Sequence, residues 1–404
     1  MLNEKAIDKL IQPIVTRQEA LNNYVINVIA TRIKEIGTLL PSDIHKLEQL
    51  MKSGADVKKI NRELSKIAKL QIKDIRNLLK DIAEDAYLDA RPFYDYNAKP
   101  YIPFEENVQL QRIIKAIENQ TVQTYINLSN AQAFMIRDLA NPKILKPTPL
   151  SKAYYSVVDE AIQVVQQGTL DYNTAMRRTM EQLTNSGIRY VTYDTPSGRK
   201  YSQRLDTAVR RNVLDGVREI NQKVQDEIGK QFGADGKEIT VHLNSAPDHE
   251  PIQGHQFSNE EYEKLQNQEP FVDYAGNKFA AIERPIGVWN CRHFTYSIML
   301  GSKPIYTLEQ LEEMKAKNAK GYTDKQGKHY SLYECSQVQR NLETEIRRAK
   351  DAQLAFKASG DIENAKKWQA KVTRLQKEYQ TFSKACGLAT KPDRIMVEGY
   401  RKIV

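Results

Sequence analysis

The sequence predicts a mainly α chain with a small α+β module, and three observations predict it. Glycine is scarce, at 18 of 404 residues or about 4.5%, against roughly 7% in average chains. Apolar residues recur at three- and four-residue steps over long stretches at both ends, the mark of amphipathic helices. Around residues 188–201 that period gives way to alternation and turn residues, and residues 244–303 read as irregular chain. All-β, collagen-like and low-complexity readings are excluded.

Taken in order, Ile7, Leu10, Ile11, Ile14, Leu21, Val25, Val28, Ile29, Ile33 and Ile36 form one helical stripe, ended by Gly37 and Pro41. Ser42 can cap the next helix, whose stripe is Val57, Ile60, Leu64, Ile67, Ile75, Leu78 and Ile82. Pro92, Pro100 and Pro103, interleaved with Phe93, Tyr94, Tyr96 and Tyr101, read as a linker, because prolines this close cannot continue a helix. A third helix is expected from about Glu105 to Ala140. Pro142, Pro147 and Pro149 make a second break. A short helix from Tyr154 to Val165 then stops at Gly168, and another is capped by Asp171 and ends at Gly187. Ile188 to Tyr193 alternates, Thr195 to Gly198 is turn chemistry and Lys200-Tyr201 resumes extended, so a hairpin is expected there.

A basic helix follows from about Arg204 to Gln231, then a strand from Ile239 to Leu243. The tail reads as two matched helices, Glu334 to Ala358 and Asp361 to Ala385, turned at Ser359-Gly360 and packed antiparallel. The expected segments are therefore long helices over 1–90, Pro-rich linkers flanking a helix over 91–149, helices with a β-hairpin over 150–235, a loop-rich His/Cys module over 236–330, and a helical hairpin with tail over 331–404.

Sixty Lys and Arg against 51 Asp and Glu leave a net charge of +9. The three cysteines, at 291, 335 and 386, are widely spaced and make no disulfide framework. Charged residues fill the N-terminus where a signal peptide has an apolar core, and no apolar run is long enough to span a membrane. These features predict a soluble chain that matures in a reducing compartment.

Four of the six histidines, His242, His249, His255 and His293, crowd into one window with Cys291. Imidazole and thiolate are preferred zinc ligands, so His249, His255, Cys291 and His293 are the candidate metal set, with Asp248-His249 and Cys291/His293 as its halves. The competing reading is that these side chains hydrogen-bond backbone in a loop-rich module. No cofactor other than zinc is suggested. Nucleophile-elbow, zincin, phosphate-loop and dinucleotide motifs are all absent, so no catalytic set is assigned. Basic residues around the hairpin and in the tail, among them Arg204, Arg210, Arg211, Arg347, Arg348, Lys366 and Lys367, are candidate contacts to DNA phosphates. The interleaved acids equally allow a solvated helix face.

The run Ser245 to Gly254 (SAPDHEPIQG), followed by Gly287 to His293 (GVWNCRH) and Gly301, resembles the minor capsid protein 2 family of tailed bacteriophages. Gly187 to Tyr193 (GIRYVTY), Leu205 to Arg211 (LDTAVRR) and Phe382 to Leu388 (FSKACGL) add to the resemblance, which covers roughly 151–404. Ile252 departs from it, standing where an aromatic commonly precedes Gln-Gly. So does the Ile282 to Gly287 approach (IERPIG), which replaces a more Gly-rich one.

The resemblance implies a non-enzymatic virion component, made in the bacterial cytoplasm and present in several copies per particle. It also implies portal and capsid proteins as partners, with non-specific contact to packaged double-stranded DNA and no membrane. On that reading, exposed apolar stripes of the long helices serve as docking interface. The alternatives are a metal-dependent, DNA-directed hydrolase using Asp248, His249, Cys291 and His293, and a helical scaffold of the host cytoplasm unconnected to virions.

Overall fold

A computed structural model describes residues 4–37, 54–97, 99–137, 145–167, 172–192, 201–273, 276–288, 291 and 293–403. Helix α1 (Glu4–Ile36) turns most of its apolar stripe inward: Ile7, Ile11, Ile14, Leu21, Val25, Ile29, Ile33 and Ile36 are each 3% exposed or less, while Leu10 stays 43% exposed. The stripe is interrupted midway by Gln18 and Glu19, also buried. Helix α2 (Ala55–Leu88) starts at Gly54, whose φ of +64° suits glycine, and buries Ile60, Ile67, Ile75, Leu78, Leu79 and Ile82. Asp56 in its first turn accepts from Arg32 on α1 at 2.8 Å and from Tyr154 at 2.5 Å. Ser42, the expected cap, lies outside the described residues.

The proline-rich stretch is packed chain. Tyr87, Tyr94, Tyr101 and Phe104 form an aromatic cluster that reaches Phe232, with Tyr94 and Phe232 centroids 4.9 Å apart and the Tyr94 hydroxyl donating to Gln231 at 2.6 Å. Helix α3 (Val108–Asn130) is capped by Asn107, which accepts from the Leu110 amide. It stops ten residues short of the expected Ala140, because β1 (Gln132–Arg137) is a strand. That strand pairs antiparallel with β2 (Leu145–Pro149) and β3 (Arg189–Thr192), and β3 pairs with β4 (Tyr201–Arg204), giving the order β2-β1-β3-β4. The expected hairpin is thus present within a larger sheet; its turn, Thr195 to Gly198, lies outside the described residues. So do Pro142, Gly168 and Asp171.

Helices α4 (Leu150–Gln167) and α5 (Tyr172–Ser186) precede the long α6 (Leu205–Gln231), whose Val209, Val213, Val217, Ile220 and Val224 are at most 1% exposed. Gly216 lets α3 approach: a Cβ there would meet Thr121 Oγ1 at 2.5 Å. One apolar core runs from Ile7 through α2, α3, α4 and α6 to Phe356 and Ala365 near the C-terminus. Most residues of the apolar stripes expected to serve as docking interface are packed inside this core.

The loop module contains a three-stranded sheet ordered β6-β5-β9, from β5 (Gly236–Ile239), β6 (Gln256–Ser258) and β9 (Thr295–Ile298). It also carries helix α7 (Asn259–Gln266) and the short pair β7 (Phe271–Val272) and β8 (Lys278–Phe279). The expected strand at 239–243 is shifted toward the N-terminus, although Thr240 still donates its amide to Phe294 O. A second, separate core of Ile239, Ile252, Phe257, Leu265, Phe271, Phe279, Ile282 and Ile286 sits here. Helix α8 (Leu308–Lys320) and the hairpin β10 (Tyr322–Thr323)/β11 (His329–Tyr330) lead to α9 (Leu332–Ala358) and α10 (Ile362–Ala385). These last two pack as the expected antiparallel hairpin, turned at Gly360 (φ +82°), with Asp361 capping α10 through the Asn364 amide.

Candidate metal centre and basic surfaces

The loop after β5 folds into consecutive tight turns: the His249 amide bonds Ala246 O, the Gln253 amide bonds His249 O and the Gly254 amide bonds Ile239 O. Gly254 sits at φ +75°, and a Cβ there would lie 2.4 Å from Leu311 of α8. This packing delivers His249 to the segment leading into β9, where Cys291 and His293 stand. Cys291 Sγ lies 3.4 Å from His249 Nδ1 and 3.5 Å from His293 Nδ1. All three side chains are buried. His249 Nε2 donates to the Arg284 carbonyl oxygen at 2.8 Å, and His293 Nε2 to Gln253 Oε1 at 3.2 Å. Asp248 Oδ2 stands 3.4 Å from His249 Nε2, and Arg284 bonds the other oxygen of that carboxylate.

Electrostatics mark this cysteine apart from the other two. Burial alone would raise the Cys291 thiol, but hydrogen bonding to His249 and His293, and the positive charge these rings can carry, hold it well below the usual range. Burial and the neighbouring Cys335 push Cys386 up to about 12. Burial disfavours a charged His249, yet the Cys291 sulfur facing it wins and raises its pKa.

Of the four expected ligands the fold gathers three. His255 is corrected: it points to the other side of the chain, against Phe257 and Phe279 with centroids at 6.2 and 5.7 Å, and burial lowers its pKa. His242 instead lines the small cavity beside the cluster, together with Tyr333, Ser336 and Arg340 at the start of α9. Gln253, which fixes the His293 ring, was not singled out from sequence; its signal was its place in the Gln-Gly pair. Trp289, Asn290 and Arg292 lie outside the described residues.

The basic candidates divide. Arg204 is 6% exposed and bonds Asp206 at 3.3 Å and Asp351 at 3.2 Å. Arg347 bonds Glu19 at 2.8 Å and Asp206 at 3.5 Å. Arg210 pairs with Asp8, which also bonds Arg394 at 3.2 Å. As DNA contacts these three arginines are corrected: each is turned inward onto carboxylates and spent joining α1, α6, α9 and the C-terminal tail. Here three carboxylates, Glu19, Asp206 and Asp351, share two guanidiniums. Burial outweighs Arg347 and lifts Glu19 to about 7, with Asp206 adding repulsion; burial likewise lifts Asp351 to about 6 against the pull of Arg204. Asp206 is buried too, but Arg204 and Arg347 hold it down at about 2.

Arg211 is half-exposed, Arg348 pairs with Glu345 at 2.5 Å, and Lys366 and Lys367 stand exposed on α10. Arg348 also lines a groove of about 860 Å³ with Arg178, Arg189, Glu160 and Glu181, between the four-stranded sheet and helices α4 and α5. Among the described residues no helix is long and apolar enough to cross a membrane.

A family model described as Phage minor capsid protein 2 matches residues 2–384. Neither a curated protein nor a solved structure matches the chain. The family match takes in the shared helical core, the histidine–cysteine module and nearly all of the terminal hairpin. With this span, the chain belongs to the phage minor capsid protein 2 family.

Proposed function

We propose that this minor capsid protein is a structural, non-enzymatic part of the phage head that docks at the portal and capsid interior and touches packaged double-stranded DNA without reading its sequence. Family membership makes it a capsid component associated with other head proteins. The portal as docking site and several copies per particle are our reading. A body of long helices around one core supports it, since such a body presents a fixed surface to a partner.

The observation that carries the DNA contact is the groove walled by Arg178, Arg189 and Arg348. Arg178 is exposed there and a second helix contributes Arg348, with Glu160 and Glu181 also on the lining. Phosphate contacts of this kind release counterions, so affinity falls with salt and is indifferent to sequence. The family match gives no support to the hydrolase alternative.

The test is binding of the purified chain to duplexes of unrelated sequence across a salt series. Equal affinity among sequences and a steep salt slope are expected. The Arg178→Ala/Arg348→Ala protein should have a slope shallower by about 1.8, the share of two phosphate contacts at roughly 0.9 each. Strong sequence preference, or a slope unchanged in the variant, would contradict this reading.

A further inference from the structure

Three side chains of the kinds that zinc prefers meet in the loop module: Cys291, His249 and His293 each offer a ligand atom within 4.8 Å of the others. Two of the separations equal the edge of a coordination tetrahedron. With Zn–S near 2.3 Å and Zn–N near 2.0–2.1 Å, sulfur and nitrogen on adjacent vertices stand about 3.5 Å apart. The observed values are 3.4 and 3.5 Å.

The rings are oriented from behind. A carbonyl oxygen can only accept, so the His249 Nε2 facing Arg284 O carries the proton. Gln253 Oε1 accepts the His242 amide at 3.0 Å, which identifies it as the oxygen of that side chain and makes His293 Nε2 the donor to it. Each neutral ring therefore aims a Nδ1 lone pair at the same sulfur. One thiol proton can satisfy only one of them. A divalent cation satisfies all three ligands at once, and the Asp248 carboxylate, 3.4 Å from His249 Nε2, stands close enough to offset its charge. The two Nε2–H contacts to oxygen are the outer contacts that commonly orient metal-bound imidazoles.

We propose that His249, Cys291 and His293 bind one zinc ion, which clamps the 242–254 loop to the segment entering β9. The thiol proton of Cys291 passes to solvent as the metal binds. Coordination is completed from the adjoining cavity of about 160 Å³, on whose wall His242 stands with its ring centroid 5.0 Å from that of His293. The module has reason to need such a clamp. Its strands are two to four residues long and its core is separate from the main one, and small cores are commonly stapled by a metal.

Full-length protein, expressed with added zinc and purified without chelator, is expected to carry one zinc per chain by plasma mass spectrometry. After chelation and addition of Co²⁺ alone, it should show the near-ultraviolet thiolate-to-cobalt band and the strong visible bands of a tetrahedral site. Cys291→Ser should lose the charge-transfer band, while His255→Ala, outside the cluster, should keep both band and zinc. The wild-type spectrum decides the matter even if the cysteine variant does not fold. A chain without zinc that gives no cobalt–thiolate band overturns the proposal. So does zinc that stays stoichiometric in the Cys291→Ser/His249→Ala protein.

Discussion

Arg204 looks in sequence like any other cation of a basic stretch, and only the fold shows that it lies between Asp206 and Asp351. Removing it strands buried carboxylates, so Arg204→Ala is expected to cost roughly 3–5 kcal/mol in denaturant unfolding; an unchanged midpoint would contradict the pairing. Glu19 gives the pH dependence. Its folded pKa of about 7 lies above the ordinary 4.5, so the folded state holds the proton more tightly. The stability this contributes is fully present below about pH 4.5 and is lost as pH rises to about 7. The whole effect is up to about 3 kcal/mol, at roughly 1.4 kcal/mol per pH unit. Unfolding measured against pH should decline more steeply in the wild type than in Glu19→Gln, where Asp351, lifted to about 6, still contributes; parallel curves would refute it. Gly254→Ala should destabilise by roughly 1–3 kcal/mol, since its φ of +75° and the nearby Leu311 both resist a side chain. Composition could show which residues bear charge or bind metals. It could not show facing, and so His255 was grouped with His249 although the chain between them turns it toward Phe257 and Phe279.

Among the elements, the α9–α10 hairpin was the most legible, because Ser359-Gly360, Asp361 and two matched charged stretches all signal locally. Its start carries a capping box: the Glu334 amide donates to Ser331 Oγ and the Ser331 amide to Glu334 Oε2. Ser331→Ala should therefore cost about 1 kcal/mol, read as a lower unfolding midpoint, and no change would count against the cap. Strand β1 was illegible for the opposite reason. Gln132 to Arg137 contains good helix formers, and it becomes a strand because β2 and β3 pair on either side of it. Helix α7 lies in the stretch whose Pro and Gly suggest irregular chain, and α8 lies just beyond it, within the segment expected to be loop-rich. Both carry capping boxes, at Ser258/Glu261 and Thr307/Gln310, which were the available signal. The tail after α10 is tied down as well: Lys350 donates to Ile395 O and Gln353 to Arg401 O.

Across the whole molecule, one core joins both ends of the chain, from Ile7 of α1 to Phe356 of α9, and the buried charge network fastens the same helices. The periodicities revealed the stripes but not what would cover them, since a stripe facing a partner and a stripe facing its own chain have the same sequence. Most stripe residues face the chain's own core, while basic side chains such as Arg178 and Lys366 stand exposed. Family membership places the chain among phage capsid components, and on the proposed function it is a permanent structural part of the head. The most direct measurement is quantitative mass spectrometry of gradient-purified mature particles, counting copies of this chain per portal subunit. A fixed low ratio, reproducible between preparations, is the predicted result. A chain missing from the particles, or present in amounts that vary from one preparation to the next, would contradict the claim.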